Sequence, residues 1–263
     1  MRVVTWNVNS VRLRLDGLGR LVDELAPDVL CLQEIKAETA QFPVDAVKAL
    51  GFEHLLVHGQ RNYHGVAILS RVPLDGHETR DWCGIDHRRH QITRLPGGIE
   101  LHNLYVPSGG DVPDRDANPK FAHKLDFLRE LAAEWRQSGA ADRPMIAVGD
   151  FNVAPLPTDV WSHRQLLGVV SHTPVEVEAL STLQASAGWV DAVRRFIPPE
   201  EKLFSWWSYR ARDWSASDRG RRLDHVWVTA PLASALRGAS VLRAARSWEK
   251  PSDHVPVAVD FDV

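Results

Sequence analysis

The stretch Asp28-Val29-Leu30-Cys31-Leu32-Gln33-Glu34 is a short apolar run that ends on an amide and a carboxylate. It reads as a buried strand that delivers Gln33 and Glu34 at its C-terminal end. Working back, Pro27 closes a run in which Leu18, Leu21, Val22 and Leu25 recur at helical spacing, with Ser10 as the expected N-cap. Before it, Val3 to Val8 reads as another strand, carrying Asn7 and followed by Asn9. Strand, helix and strand in close succession mark a layered α/β unit.

Working forward, the same alternation continues. Pro43 to Leu50 predicts a short helix, and Phe52 to Val57, Gly65 to Ser70 and Ile99 to Val106 predict strands. Phe121, Leu125, Leu128, Leu131 and Trp135 step by three and four after Asn118-Pro119, a helix start with proline at its favoured first position. Pro144 to Val148 is a strand that runs into Gly149-Asp150-Phe151-Asn152. Residues 155–175 read as a loop with short helical pieces, and Leu183 to Phe196 as a helix. Leu223 to Val228 and Ser240 to Leu242 are strand-like, and Val255 to Val259 is the closing strand after Pro251-Ser252-Asp253-His254. No Pro/Gly/Ser-rich linker interrupts the chain, so one domain over residues 1–263 is expected.

Composition narrows the class. With 44% hydrophobic and 25% charged residues the chain can bury a core, which excludes disorder as its main state. Two cysteines, Cys31 and Cys83, exclude a disulfide scaffold and suit a reducing compartment. Neither a signal-peptide core nor an apolar run of about 20 residues is present, so a cytoplasmic protein with no membrane partner is expected by default. The sequence is silent on oligomeric state, and a monomer is the default expectation. A formal net charge of −3 gives no global sign of nucleic-acid binding, so only local charge can speak for it.

The chemistry lies where the strands stop. Asn7 and Asn9, Glu34, Tyr105, Asp150 with Asn152, Asp224, and Asp253 with His254 each follow or end an apolar run. Strand ends of a layered sheet can converge on one edge, and oxygen donors gathered there suit a hard cation such as Mg²⁺. Such an ion polarises a phosphoryl oxygen, and histidine is the usual group that changes charge near neutral pH. Taken singly, an aspartate after a strand is more often a turn former or a helix cap. The residue types alone reach as far as a metal-assisted hydrolase.

The ordered motifs say more. Thr5-Trp6-Asn7-Val8-Asn9-Ser10-Val11-Arg12 resembles the opening of the exonuclease III–type apurinic/apyrimidinic (AP) endonucleases. Leu32-Gln33-Glu34-Ile35-Lys36 is similar to their LQE-x-K motif, and Tyr63 to Ser70 to their GVA strand. Asn103 to Pro107 resembles their tyrosine segment, with Lys120-Phe121 opening the next helix, and Gly149 to Asn152 resembles GD-x-N. Phe204 to Arg210 is similar to the tryptophan-bearing segment on the DNA side, Arg219 to Asp224 to RG-x-R-[IL]-D, and Ser252 to Pro256 to SDH-x-P. These matches run in family order from residue 3 to residue 259, and together they point to the endonuclease/exonuclease/phosphatase superfamily and its DNA-repair branch.

The resemblance implies an α/β fold, a four-layer sandwich of two packed mixed β-sheets flanked by helices. It implies Glu34 as the main Mg²⁺ ligand (Mn²⁺ as a substitute), with Asn7 beside it. Asp253, Asp150, Asn152 and His254 are further candidates. Asp150 would position or deprotonate the attacking water, and Asn152 would orient it or the phosphate. His254, paired with Asp224, would contact the phosphate, and Tyr105 would donate to a phosphate oxygen or assist the leaving group. The implied reaction cuts duplex DNA 5′ to an abasic site and leaves a 3′-hydroxyl, with related activities on DNA 3′ ends.

DNA contacts are expected from local charge. Residues 205–222 hold Arg210, Arg212, Arg219, Arg221 and Arg222 against Asp213 and Asp218, interleaved with Trp206, Trp207, Tyr209 and Trp214. Basic residues meet phosphates and aromatic rings stack or wedge. The competing view is a buried aromatic cluster with solvated arginines. Arg88 and Arg89, in a second basic patch with His87, His90 and Arg94, are weighed equally as backbone contacts and as a solvated edge. Asn9, Ser108, Lys120 and Trp161 complete the expected DNA contacts. Ser108 stands where the family often carries asparagine or glutamine, and Trp161 lies in a variable loop that faces DNA in the family. His225 should point away from Asp224 if that segment is a strand. The rival readings are a superfamily phosphohydrolase acting on RNA, phosphoinositide or sphingomyelin, and a non-catalytic DNA-binding member.

Overall fold

A computed structural model describes residues 1–211 and 213–263, so Arg212 of the basic segment lies outside the described residues. One six-stranded sheet holds β1 (Arg2–Asn7), β2 (Val29–Gln33), β3 (His54–His58), β4 (Val66–Ser70), β13 (Leu236–Val241) and β14 (Val257–Phe261). Its order is β13-β14-β1-β2-β4-β3. The other holds β5 (Asp75–Thr79), β6 (His90–Leu95), β7 (Ile99–Tyr105), β8 (Met145–Asp150), β9 (Val190–Asp191) and β12 (Asp224–Val228), in the order β5-β6-β7-β8-β12-β9. A two-stranded ribbon joins β10 (Trp206–Trp207) to β11 (Gly220–Arg221). The helices that matter here are α1 (Leu15–Leu25), α2 (Val44–Ala49), α3 (Pro119–Gln137), α4 (His163–Leu166) and α5 (Pro174–Ala185).

Period-2 alternation builds the layers. Val3, Val29, Cys31 and Ile68 of the first sheet meet Leu101, Ile146, Val148 and Val226 of the second in one apolar core. The alternate residues Val4, Leu30, Leu32 and Leu69 face the other way, onto Leu18, Leu21 and Leu25 of α1. On the far side, Leu104, Ala147 and Trp227 are covered by Leu128 and Leu131 of α3 and Leu180 and Leu183 of α5. Helices, sheet, sheet, helices is the four-layer sandwich the resemblance implies. The central strands read as unbroken apolar runs because both of their faces are buried.

Register gathers the strand ends. β1 and β2 are parallel, with Asn7 opposite Gln33, so Asn7 and Glu34 emerge side by side. In the second sheet Tyr105 pairs with Asp150 across β7 and β8, and Asp150 pairs with Asp224 across β8 and β12. Gly149 makes this row possible. Its φ is +141°, and a Cβ there would stand 1.9 Å from the carbonyl oxygen of Leu104.

Several elements differ from expectation. The helix expected over Leu183 to Phe196 is instead α5, which starts at Pro174 because Thr173 and Glu176 form a capping box. It stops before Gly188, at φ +61°, and strand β9 follows. Ser10 does not cap α1. Its φ is +84°, its N–H donates to the Glu34 carbonyl, and a 3₁₀ turn at Val11–Leu13 comes before the helix. β5 and β6 have no apolar signature: β5 is exposed throughout, and β6 buries His90, Gln91 and Thr93.

Candidate active site

The converging strand ends form one hydrogen-bonded cluster. Asn7 Nδ2 donates to Glu34 Oε1 at 3.1 Å and to Asp150 Oδ2 at 2.9 Å, linking the two sheets. Tyr105 donates its hydroxyl to Glu34 Oε1 at 2.7 Å. Lys36 Nζ lies 2.8 Å from Glu34 Oε2 and donates to Asn9 Oδ1 at 2.6 Å. Burial alone raises the Glu34 pKa, but Lys36, Tyr105 and Asn7 outweigh it and hold the carboxyl at about 2. Asn9, Glu34, Lys36 and Asn152 all adopt positive φ, a costly backbone that concentrates at functional sites.

The second half of the cluster is drier. Asp150 is buried, and burial together with Asp224 and Glu34 pushes its pKa up against the pull of His254 and Asn7. Asn152 donates its N–H to Asp150 Oδ1 at 2.9 Å and its amide to Val106 O and Asp150 Oδ2. His254 Nδ1 sits 2.8 Å from Asp224 Oδ2, and its Nε2 lies 3.7 Å from Asp150 Oδ2. Burial lowers its pKa, but Asp224 and Asp150 together raise it well past neutrality, so the ring is an imidazolium. Ser205 Oγ donates to Asp224 at 2.6 Å and fixes that carboxylate in turn. Ser205 lay inside the tryptophan-bearing segment without a task of its own; its place directly before the ribbon brings it to Asp224 only in three dimensions.

The donor set fits a divalent cation. Among the described residues, the carboxylates Glu34, Asp150 and Asp224 form direct ion pairs only with Lys36 and His254, and Asp253 forms none, so the cluster has more carboxylates than paired cations. All the acceptors are hard oxygens, the kind Mg²⁺ and Ca²⁺ take. Lys36 already places a cation on Glu34, at the spot between Asn7 and Asn9. Asp150, Asp224 and His254 also stand close enough to hold an ion, which would require the neutral imidazole. Asp253 is tied to Asn9 Nδ2 and to the Trp206 indole, each at 3.0 Å.

A cleft of about 620 Å³ opens over this cluster. Glu34, Asp150, Asn152, Asp253 and His254 line its floor, and Ser108, Trp161, Trp206, Arg210, Arg219 and Arg221 line its walls. Arg219 stacks 4.8 Å over Trp161, and Arg221 lies 5.2 Å over Trp206. Lys120 is exposed at the start of α3, outside the cleft lining. Arg88 is half-buried and paired with Asp86 at 2.7 Å.

Three expected DNA contacts are corrected by burial. Trp207 is 1% exposed, packs on Phe204 and Trp214, and donates its indole N–H to Asp218. Arg222 is 2% exposed and pairs with Asp159 and Asp191 at 2.8 and 2.7 Å. Arg89 is neither a backbone contact nor a solvated edge. It lies buried behind Tyr105, 4.5 Å over its ring, and donates to its carbonyl at 3.1 Å. His225 does point away from Asp224, into the core, with Nε2 on the Val153 carbonyl.

Comparison with known proteins gives the same picture. Exodeoxyribonuclease III of Haemophilus influenzae is 28% identical over 276 residues, covering 99% of this chain and 100% of its own length. An AP endonuclease from Archaeoglobus fulgidus superimposes with a TM-score of 0.92 at 31% identity, both chains being covered in full. The 3′ phosphatase NExo from Neisseria, bound to a product DNA hairpin, gives 0.91 at 30% identity, again over both full chains. Residues 4–254 match the Endonuclease/Exonuclease/phosphatase family, and the chain belongs to it.

Proposed function

We propose that this chain is a Mg²⁺-dependent DNA-repair phosphodiesterase, with Mn²⁺ able to replace Mg²⁺. It cuts duplex DNA 5′ to abasic sites, leaving a 3′-hydroxyl, and also trims 3′ ends as an exonuclease and a 3′-phosphatase. The observation that carries this reading is the triangle of Asp150, Asn152 and His254 beside Glu34 and Asn7, at the floor of an open Trp- and Arg-walled cleft. The relatives named exodeoxyribonuclease III and AP endonuclease support it.

Each residue has a task that its surroundings favour. Asp150, with its raised pKa and its oxygens held by Asn7 and Asn152, takes a proton from water and aims the oxygen at phosphorus. The His254 imidazolium donates to a phosphoryl oxygen, and Asp224 keeps it charged and oriented. Asn152 orients the water or the phosphate. Tyr105, its own pKa raised by burial and Glu34, stays a phenol and donates near the leaving oxygen. Glu34 and Asn7, with Asp253 as a further ligand, would hold the ion, which supplies charge neutralisation at the phosphate. Trp161, Trp206, Arg210, Arg219, Ser108 and Lys120 serve the DNA strand. No described helix is long and apolar enough to cross a membrane, and we assign a cytoplasmic monomer.

The test is a labelled duplex with an internal abasic analogue and another with a recessed 3′ end, each with Mg²⁺ and with chelator. Mg²⁺-dependent cleavage is expected. An intact pair of duplexes at every Mg²⁺ concentration would overturn the reading.

A further inference from the structure

One cation in the cleft has no part in the mechanism above. Trp206 pairs with Arg221 in the ribbon and bridges to His254 on its other side. Directly paired residues project to the same face, so His254, Trp206 and Arg221 form one row over the cleft. Arg221 Nη1 donates to Val170 O and to Ser171 Oγ, both at 2.8 Å, and its Nε is buried without a hydrogen-bond partner.

These acceptors are neutral. Among the described residues no carboxylate lies within ion-pair distance of Arg221, and the acid that acts on it through space is Glu176. Glu176 is already committed to the buried Lys124, to the Ser171 N–H and to Thr173 Oγ1. Arg221 therefore stands on the cleft wall with no carboxylate of its own, and the acid nearest in effect is shared with Lys124. The guanidinium lies over the Trp206 ring, and Trp161, Val169, Val170 and Leu223 give the same cleft an apolar share of its lining.

We infer that Arg221 sets substrate class, favouring DNA 3′ ends that carry a terminal phosphomonoester over internal abasic diesters. The inference rests on the phosphodiesterase reading and deepens it. An abasic diester presents one negative charge and a neutral sugar beyond the phosphorus. The sugar would have to enter an apolar slot that a guanidinium has narrowed and polarised. A terminal monoester has no sugar there and carries about −1.5 to −2 charges near pH 7, so its extra charge meets a guanidinium without an ion-pair partner. In the favoured reaction the water oxygen bonds to phosphorus and the P–O3′ bond breaks. One water proton passes to Asp150 and the 3′ oxygen takes a proton from the Tyr105 phenol, which Asp150 restores through solvent, giving a 3′-hydroxyl end and inorganic phosphate.

The experiment compares kcat/KM for two duplexes at fixed ionic strength with Mg²⁺. One has a recessed 3′-phosphate and the other an internal abasic analogue. Wild type is set against Arg221→Leu, Arg221→Gln and Arg221→Lys. In Arg221→Leu the ratio of 3′-phosphatase to abasic cleavage is expected to drop at least tenfold. Arg221→Gln, which keeps a donor for Val170 O and loses the charge, should drop similarly and serves if the leucine variant does not fold. Arg221→Lys should retain most of the ratio. A ratio that moves less than threefold in the uncharged variants overturns the inference, whether both activities fall together or neither does. Wild type inactive on both duplexes would instead overturn the phosphodiesterase reading itself, and this inference with it.

Discussion

Trp206 and Trp207 are sequence neighbours, as are Arg221 and Arg222, and Asp224 and His225. Each pair is split between two environments. Trp206, Arg221 and Asp224 face the cleft or its relay, whereas Trp207, Arg222 and His225 are buried in packed or ion-paired surroundings. The cause is strand alternation, which sends successive side chains to opposite faces. A segment rich in tryptophan and arginine therefore reads as a DNA surface in composition, yet only about half of it can be one. On the cleft face a substitution should alter turnover or affinity. On the core face it should alter stability.

The largest effects belong to the cleft floor beneath the ribbon. Asp150→Asn and His254→Ala should each lower cleavage by about two orders of magnitude or more, the scale of lost acid–base and charge-stabilising groups, while DNA binding survives. Gel-shift binding measured beside turnover checks this, and near-full activity in Asp150→Asn would remove it as the base. Next come the core partners. Trp207→Ala should cost about 3–5 kcal/mol of stability, because it empties a fully buried site beside Phe204 and Trp214. Arg222→Ala should cost about 3–5 kcal/mol, because it leaves buried carboxylates without a partner. Denaturant melts give both numbers. Trp206→Ala should behave oppositely, losing about 1–3 kcal/mol of DNA affinity with a small change in melting. If Trp206→Ala and Trp207→Ala prove equal in both assays, the two-face division is wrong.

How much of this was legible in sequence follows the same logic. Apolar runs that stop on Asn7, Glu34 and Asp150 marked the catalytic edge because core strands must be apolar while their ends need not be. Strand β6 was hidden for the opposite reason. Its buried His90 accepts from the Trp82 indole and contacts His102, which leans on Glu100, so polar residues that satisfy one another fill a core position and leave no apolar alternation to read. Arg89 looked like a surface charge beside Arg88, and its burial behind Tyr105 depends on the β6–β7 register. Lys36 was quoted within a motif but given no task, although its spacing from Glu34 could have suggested an ion pair. Lys124 carried no signal, since its partner Glu176 lies on another helix.

The smallest predicted effect tests the third pair. His225 is fully buried, donating from Nε2 to Val153 O, with Nδ1 unpartnered. Burial, reinforced by Arg222, lowers its pKa to about 4. A histidine whose folded pKa lies below its unfolded value of about 6.5 must stay neutral in the native state. Its contribution to stability is therefore complete above pH 6.5 and is lost as the pH falls toward 4. By pH 5 the loss attributable to this one group is roughly 2 kcal/mol, since each unit is worth about 1.4 kcal/mol. Other buried histidines, His90 and His102 among them, titrate in the same direction, so the difference between variant and wild type is the quantity to measure. His225→Gln keeps a donor for the Val153 carbonyl and cannot take up the proton. Its stability should fall less steeply than wild type between pH 7 and pH 5 in urea melts performed with chelator. Parallel curves for the two proteins would mean that the ring behind Asp224 does not resist protonation, and that the core face is wetter than its packing implies.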